Sequence, residues 1–471
     1  MEKFLKIKKM KSKLIIGAIL LVAFNCTAQY TKLYDFDSIN GRLPRCTLFS
    51  YGSFLYGITN NGGLHDDGVI FKLMPDGTSF TKLHDFISNS TDGYDPEGSL
   101  ISVDSFLFGM TTAGGFNNMG TIFKIKPDGT GYLKIFDFTG YPNGGYPGGS
   151  LIFDGTFLYG VTVSEGLYFQ GSIFKIKPDG TGYVNIYNFG GTTTDGKGAN
   201  SLITDGTFLY GTTYSGGTND LGIIYKIKLD GTGYSNFFNF SGSLNGRHPS
   251  NLYYDGTFLY GTTASGGSNN YGTSYKVKPD GTGYLMLVDF TGGIIGGCPF
   301  GSLFYDGTYV YGGTGCGGAN NKGIVYKIKA DGTGNAKIID YDGTNGTSSW
   351  GNFISIGNFL YGTTVSGGIS NNGTIFKIDI STGIKENNLT YNIFISPNPT
   401  NGIFTISAEN LKMESVTIYN VLGEIVYQLP NFQINTSSNF QIDLTNQPNG
   451  IYFINLKTEQ GIVSKKIIIN K

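Results

Sequence analysis

The phrase DGTG recurs along this chain, and its aspartates Asp128, Asp179, Asp230, Asp280 and Asp331 stand where a calcium loop would place its first ligand. Such a loop needs several oxygen ligands in alternation and a bidentate acid at its end. Each copy has a single acid, so the phrase reads as an Asp-Gly turn and no metal site is expected. A second acidic series, Asp35, Asp85, Asp137, Asp289 and Asp340, closes a short apolar run, with Asn188 and Asn239 at the equivalent place in two copies. Asn keeps the hydrogen-bonding shape and loses the charge. The series therefore reads as structural rather than acid–base. His65, His84 and His248 fall in separate copies without metal-ligand spacing. No nucleophile elbow, phosphate loop or dinucleotide fingerprint occurs, so no catalytic residue and no cofactor is assigned.

Residues that depart from the repeat are better candidates, because packing between copies does not demand them. Phe116, Glu165, Tyr168, Phe169, Tyr214, Tyr271 and Trp350 lie in long loops expected on one face. Aromatic side chains bring large contact area at little conformational cost, and they stack on the apolar faces of sugar rings. A non-catalytic binding or adhesion surface, with polysaccharide or a surface glycan as partner, is the expected function. The alternative is an extracellular glycan-active enzyme, hydrolase or lyase, using the same face. A glycosidase would need two carboxylates roughly 5–10 Å apart, and no clustered acids are visible.

The element that must position these loops is written into the chain repeatedly. DGTFLYG stands at 154–160, 205–211 and 255–261, and near-copies follow the same 50- to 52-residue spacing at 51–57, 104–109, 306–312 and 356–362. One unit reads as four strands: YLKIFDF (132–138), SLIF (150–153), TFLYGVTV (156–163) and GSIFKIK (171–177), with a Gly/Pro loop over 139–149. Asp154-Gly155 between apolar runs is a hairpin signal and predicts a type I′ turn. Four strands per period of about 50 residues suit a propeller blade. The YxxIxDF-type strand occurs first at 30–36, and the last copy lacks it. The spacing thus predicts an all-β chain with a seven-bladed β-propeller, its final blade completed by one N-terminal and three C-terminal strands.

The ends bound this array. Six lysines in the first 13 residues, an 11-residue apolar run (14–24) and small residues at 26–28 read as a signal peptide over 1–28. The run is too short to cross a bilayer core of about 30 Å. A lipid anchor on Cys26 is the rival reading, and Phe24 and Asn25 suit it poorly. The propeller is expected over 29–381, a linker over 382–392 and a small β-sandwich over 393–471. No other stretch could span a membrane as a helix. A net charge of -1 provides no field for nucleic acid. Beyond residue 28, Cys46, Cys298 and Cys316 remain. With Asp306-Gly307 as a two-residue turn, Cys298 falls opposite Gly315 and beside Cys316. A Cys298–Cys316 disulfide is expected, with Cys46 free.

The tail resembles the type A C-terminal sorting domain of the type IX secretion system. The matching residues are Pro397, Asn398, Pro399, Gly402, the VTIYNVLGE segment with Gly423, GIYFINL from Gly450, and KKIIINK with Lys465 and Lys466. The resemblance implies handling by that machinery through residues 393–471, passage across the outer membrane, and removal of the tail. The product would be secreted, either released or held at the cell surface. The repeats resemble the GloVer tandem-repeat family, which implies no particular activity. Residues 164–172 and 312–318 depart from its pattern.

Overall fold

The computed structural model describes residues 30–381 and 393–471, apart from 409–412, 422, 430–437 and 459–460. The signal segment and the linker lie outside the described residues. The chain divides into two compact units that meet between Ile380 and Ser381.

All the regular elements of the first unit are strands. They form seven four-stranded antiparallel sheets, six of them from consecutive strands. In the third sheet the strands are Gly145–Phe153, Leu158–Ser164, Ser172–Ile176 and Val184–Asn188, from inner to outer. The seventh sheet combines Ile354–Ile356, Phe359–Thr364 and Thr374–Asp379 with the first strand of the chain, Tyr30–Asp35. That strand pairs antiparallel with Thr374–Asp379, Tyr30 facing Ile378 and Asp35 facing Thr374.

The repeated phrase is explained by packing between the second and third strands. Gly160 faces Phe174 across the ladder. A Cβ on Gly160 would lie 2.5 Å from the tip of the Phe174 ring, so only glycine lets that ring lie flat over the strand. Neighbouring sheets share cores: Leu158, Phe174 and Ile176 pack with Phe108, Ile122 and Phe138 of the preceding repeat. Phe36, Leu55 and Phe71 likewise pack with Tyr361 and Ile375 of the last repeat.

Two local expectations change. The first hairpin turns one residue later than a type I′ Asp-Gly turn would place it. Phe153 pairs with Leu158, and the Asp154 N–H donates to the Phe157 carbonyl, leaving Gly155 and Thr156 at the tip. Gly155 has φ +98°. Positive φ at the first tip residue alone fits a II′-like turn. Asp154 sits below the tip, where its carboxylate accepts from the N–H groups of Thr156 and Phe157 at 2.7 Å each. The inner strand also starts earlier than sequence pattern suggests, at Gly145, inside the Gly/Pro segment.

The strand-end acids prove to be loop fasteners. Oδ1 of Asp137 accepts the Phe116 N–H at 2.9 Å, and Asn188 accepts from Leu167 and Asn239 from Thr218 in the same way. Except at Asp289, which follows Met286, the partner three residues earlier changes with the acid. Lys134 pairs with Asp137 at 2.8 Å, whereas Asn185 donates to Asn188 and Asn236 to Asn239. Asp137→Ala is expected to cost about 1–2 kcal/mol through the unmade bond and the unpaired lysine. The double change Lys134→Asn, Asp137→Asn should recover most of it. Urea unfolding of the three proteins checks this, and additive losses in the double variant would contradict it.

The second unit holds a three-stranded sheet, Ile393–Ser396, Ile403–Ala408 and Ser438–Asp443. Its four-stranded sheet runs in the order Ile425–Leu429, Met413–Asn420, Gly450–Thr458, Gly461–Ile469. Phe404, Ile406 and Ile442 of the first sheet and Val416, Ile418, Ile454 and Ile467 of the second share one core. Of the sorting-motif residues, Asn398 bridges to the last strand, donating to the Lys466 carbonyl and accepting from the Ile468 N–H, both at 2.9 Å.

Candidate functional site where the inner strands converge

Each inner strand is approached through one residue in the left-handed region. These are Leu43, Asp95, Tyr146, Gly198, His248, Cys298 and Ser348, with φ between +53° and +66°. In every copy the N–H of that residue donates to a carbonyl in the loop of the preceding repeat, as Cys298 does to Tyr271 and Leu43 does to Asn372. Left-handed non-glycine residues carry strain of order 1 kcal/mol and gather at functional sites. Two residues further on stand Arg45, Glu97, Gly148, Asn200, Ser250, Phe300 and Trp350. Here the register of several inner strands slips against its neighbour, between Glu97 and Ile101, Gly148 and Ile152, Ala199 and Ser201, and Pro249 and Leu252. Such bulges re-aim side chains.

The result is a pocket of about 270 Å³ to which all seven repeats contribute. Arg45, Glu97, Asn200, Ser250, Phe300 and Trp350 line it, with Gly149 rather than Gly148 from the third repeat. Its two halves differ. On one side Phe300 lies 4.5 Å from Trp350, centroid to centroid, and the Arg45 guanidinium lies 4.6 Å above the Trp350 ring. On the other, Gly149, Ser150, Asn200, Ser250 and Asn251 are small. His248 borders the pocket, stacked on Tyr214 at 4.2 Å with Nδ1 3.1 Å from the Ser265 hydroxyl. Burial, aided by Arg247, holds the His248 imidazole below its ordinary pKa. Burial holds the Glu97 carboxyl above the usual carboxylate range; Arg45 draws it down and Asp95 pushes it up.

The seven residues singled out from sequence separate into two groups. Tyr214 and Trp350 both line the pocket. The other five stand around the loops. Phe116 is 79% exposed, held only by its backbone bond to Asp137. It occupies a repeated place, shared by Leu64, Leu167 and Ile369, rather than an exception to the repeat. Phe169 stacks on Tyr141 at 5.1 Å, Tyr168 lies beside Gly191 of the next loop, and Tyr271 covers Gly292 and Gly297. Glu165 packs near Gly145. Arg45, Glu97, His248 and Phe300 complete the pocket. The available signal was a pair of repeat positions, the left-handed one and the one two residues on, at each of which seven copies carry seven different residues. Among the described residues no group of three or more His, Cys, Asp or Glu side chains could hold a metal.

Repeated blade-like sheets with a pocket at their convergence, followed by a separate β module, define an all-β repeat protein with a C-terminal accessory domain. The chain belongs to the Gloeobacter/Verrucomicrobia repeat family, whose model matches residues 17–166 and 146–310. Residues 394–470 match the secretion system C-terminal sorting domain. The protein is thus exported by the type IX route and is extracellular or attached to the cell surface. A 78-residue stretch is 36% identical to ulvan lyase NLR42 of Nonlabens ulvanivorans, spanning 16% of this chain and 14% of that relative. Among solved structures, the extracellular domain of BT4673 from B. thetaiotaomicron matches at TM-score 0.50 and 12% identity, over 94% of this chain and 58% of that one. Oligogalacturonate lyase from Vibrio parahaemolyticus matches at TM-score 0.48 and 13% identity, over 76% and 95%. At such identities a likeness speaks to fold alone.

Proposed function

We propose that this protein is an exported, closed seven-bladed β-propeller that binds a glycan in the pocket where its inner strands converge, without transforming it. Closure is supported by the Tyr30–Asp35 strand in the last sheet and by the shared core of the first and last repeats. The observation that carries the binding reading is the pocket's lining. Phe300 and Trp350 supply aromatic surface, and Ser150, Asn200, Ser250 and Asn251 offer hydroxyl and amide groups beside the Tyr214–His248 stack. At about 270 Å³ the space is close to the lower limit of small-molecule sites, roughly 300 Å³. It suits one ring of a chain rather than a long segment. Glu97 is the only carboxylate among the lining residues, whereas a glycosidase uses two. The exposed loop aromatics, Phe116, Tyr168, Phe169 and Tyr271, with Glu165, would extend contact outside the pocket.

The second reading, a glycan-active lyase, rests on His248. An imidazole whose pKa is lowered by burial, stacked on Tyr214 at the pocket edge, is placed to accept a proton. The test is a glycan array with the full chain, run beside assays for released reducing ends and unsaturated products. The expected result is retention of one glycan class without turnover, weakened about tenfold by Trp350→Ala, which corresponds to about 1.4 kcal/mol of lost stacking. Turnover abolished by His248→Ala would favour the lyase. No retention and no product would end both readings.

A further inference from the structure

We infer that the pocket recognises an anionic sugar, with Arg45 taking a carboxylate or sulfate group; this rests on the reading that the pocket binds a glycan. Basic residues on the loops leading to the inner strands are otherwise partnered. Arg42 makes a two-pronged pair with Asp66, Nε to Oδ1 at 2.7 Å and a terminal nitrogen to Oδ2 at 2.5 Å. Lys197 pairs with Asp220 at 2.9 Å, and Arg247 donates to Ser265 and Asn270, both at 3.1 Å. Arg45, three residues from Arg42, is the exception. Its Nε is buried without a partner, and none of the ion pairs of the described residues includes it. The Trp350 ring lies against the guanidinium, and the Asp95 and Glu97 carboxyls feel its charge without pairing with it.

A buried or half-buried guanidinium without acceptors is costly, and its planar fork matches a carboxylate or sulfate. Glu97 is the acid closest to hand in the pocket, and no salt bridge joins it to Arg45. Its carboxyl is buried in a way that disfavours its charge. The remaining lining residues are neutral amides, hydroxyls, glycines, aromatics, Pro249 and Ala264, with His248 the other titratable group besides Tyr214. An arriving oxyanion would satisfy Arg45 while the sugar ring lies against Trp350 or Phe300. The small-residue half of the pocket leaves room for it. The Trp350 Nε1–H, also buried without a partner, marks this wall as the polar-deficient one.

The experiment is calorimetric titration of the full chain with three probes: an oligoglucuronate, its carboxyl-reduced neutral counterpart, and a sulfated glucan oligosaccharide. At least one anionic probe should bind tenfold or more tightly than the neutral one, and the tighter arm tells carboxylate from sulfate. Arg45→Ala should remove that preference. Arg42→Ala, which lowers the charge equally outside the pocket, should keep it. Glu97→Gln, which removes the competing carboxylate, should tighten anionic binding severalfold and speaks even if Arg45→Ala does not fold. Equal affinity for neutral and anionic probes, or a preference surviving Arg45→Ala in folded protein, or looser anionic binding in Glu97→Gln overturns the inference and leaves the glycan reading standing. Failure of all three probes together with an empty array overturns the glycan reading itself.

Discussion

Removing residues 30–36 is expected to make the chain aggregate. The segment contributes the outer strand of the last sheet, paired along its length with Thr374–Asp379. Asp35 accepts the Ile369 N–H at 3.0 Å, as its counterparts do within single repeats. Tyr30 stacks on Phe376 at 5.4 Å and donates to the Asn345 carbonyl at 2.5 Å. Phe36, 1% exposed, fills the core between the first and last repeats. Loss of all this bares a strand edge, the template for pairing with another chain. Phe36→Ala alone should cost about 3–5 kcal/mol, with the ladder intact. Size-exclusion chromatography and thermal melts measure both proteins. A truncated form that stays monomeric at the native melting temperature would refute closure through this strand.

The second large effect is expected from the sixth repeat. Cys298 and Cys316 are bridged, with Cα atoms 5.7 Å apart and a separation of 18 positions in sequence. Closing a loop of that size contributes about 3 kcal/mol on the chain-entropy model. Cys298→Ser, Cys316→Ser should lose about that much in equilibrium unfolding. The bridge also holds the left-handed residue two places before Phe300, so the variant should bind any pocket ligand more weakly than its lost stability alone explains. Cys46 is buried, receives the Ile58 N–H on its sulfur at 3.4 Å, and has its thiol pKa pushed up to about 11 by burial. In protein lacking residues 1–28, and with them Cys26, alkylation of the folded chain should therefore label nothing, and alkylation after unfolding without reductant should label Cys46 alone. Three labelled cysteines would contradict the bridge.

The register that brings the two cysteines together shows how far pattern can reach. A turn at Asp306-Gly307 placed Cys298 opposite Gly315, and the Gly315 N–H does donate to the Cys298 carbonyl at 2.9 Å. The turn itself lies one residue later, with Tyr305 facing Val310. Between these points the inner strand advances two residues more than its partner, and the offsets cancel. Period-two alternation cannot register such an insertion, because residues in a bulge have no cross-strand partner to reveal them. The same blindness hid part of the pocket. Phe300 looks like an ordinary residue of a Gly/Pro-rich loop, and only the lifted backbone turns it inward.

Local chemistry determined much of this protein by itself. The glycine beneath each aromatic ring, the Asx-capped turns and the four apolar runs per period are short-range demands, so the chain restates them in most copies, and the glycine in all seven. The missing outer strand of the last repeat was likewise visible as an offset in the count. The sorting domain was legible because its motifs are contiguous. The tertiary structure alone decided which side chains meet. Arg45, Glu97, Phe300 and Trp350 are separated by up to about 300 residues, and they become neighbours because each occupies the same place in a different repeat and the first repeat packs on the last. The sequence pattern puts Tyr168, Phe169 and Tyr214 in one loop type, yet Tyr214 belongs to the strand Phe208–Gly216, and of the three it alone reaches the pocket, leaning on His248 of the next repeat. A loop's composition says which residues are free of packing duty, whereas the strand bulge and the neighbouring repeat set where they point.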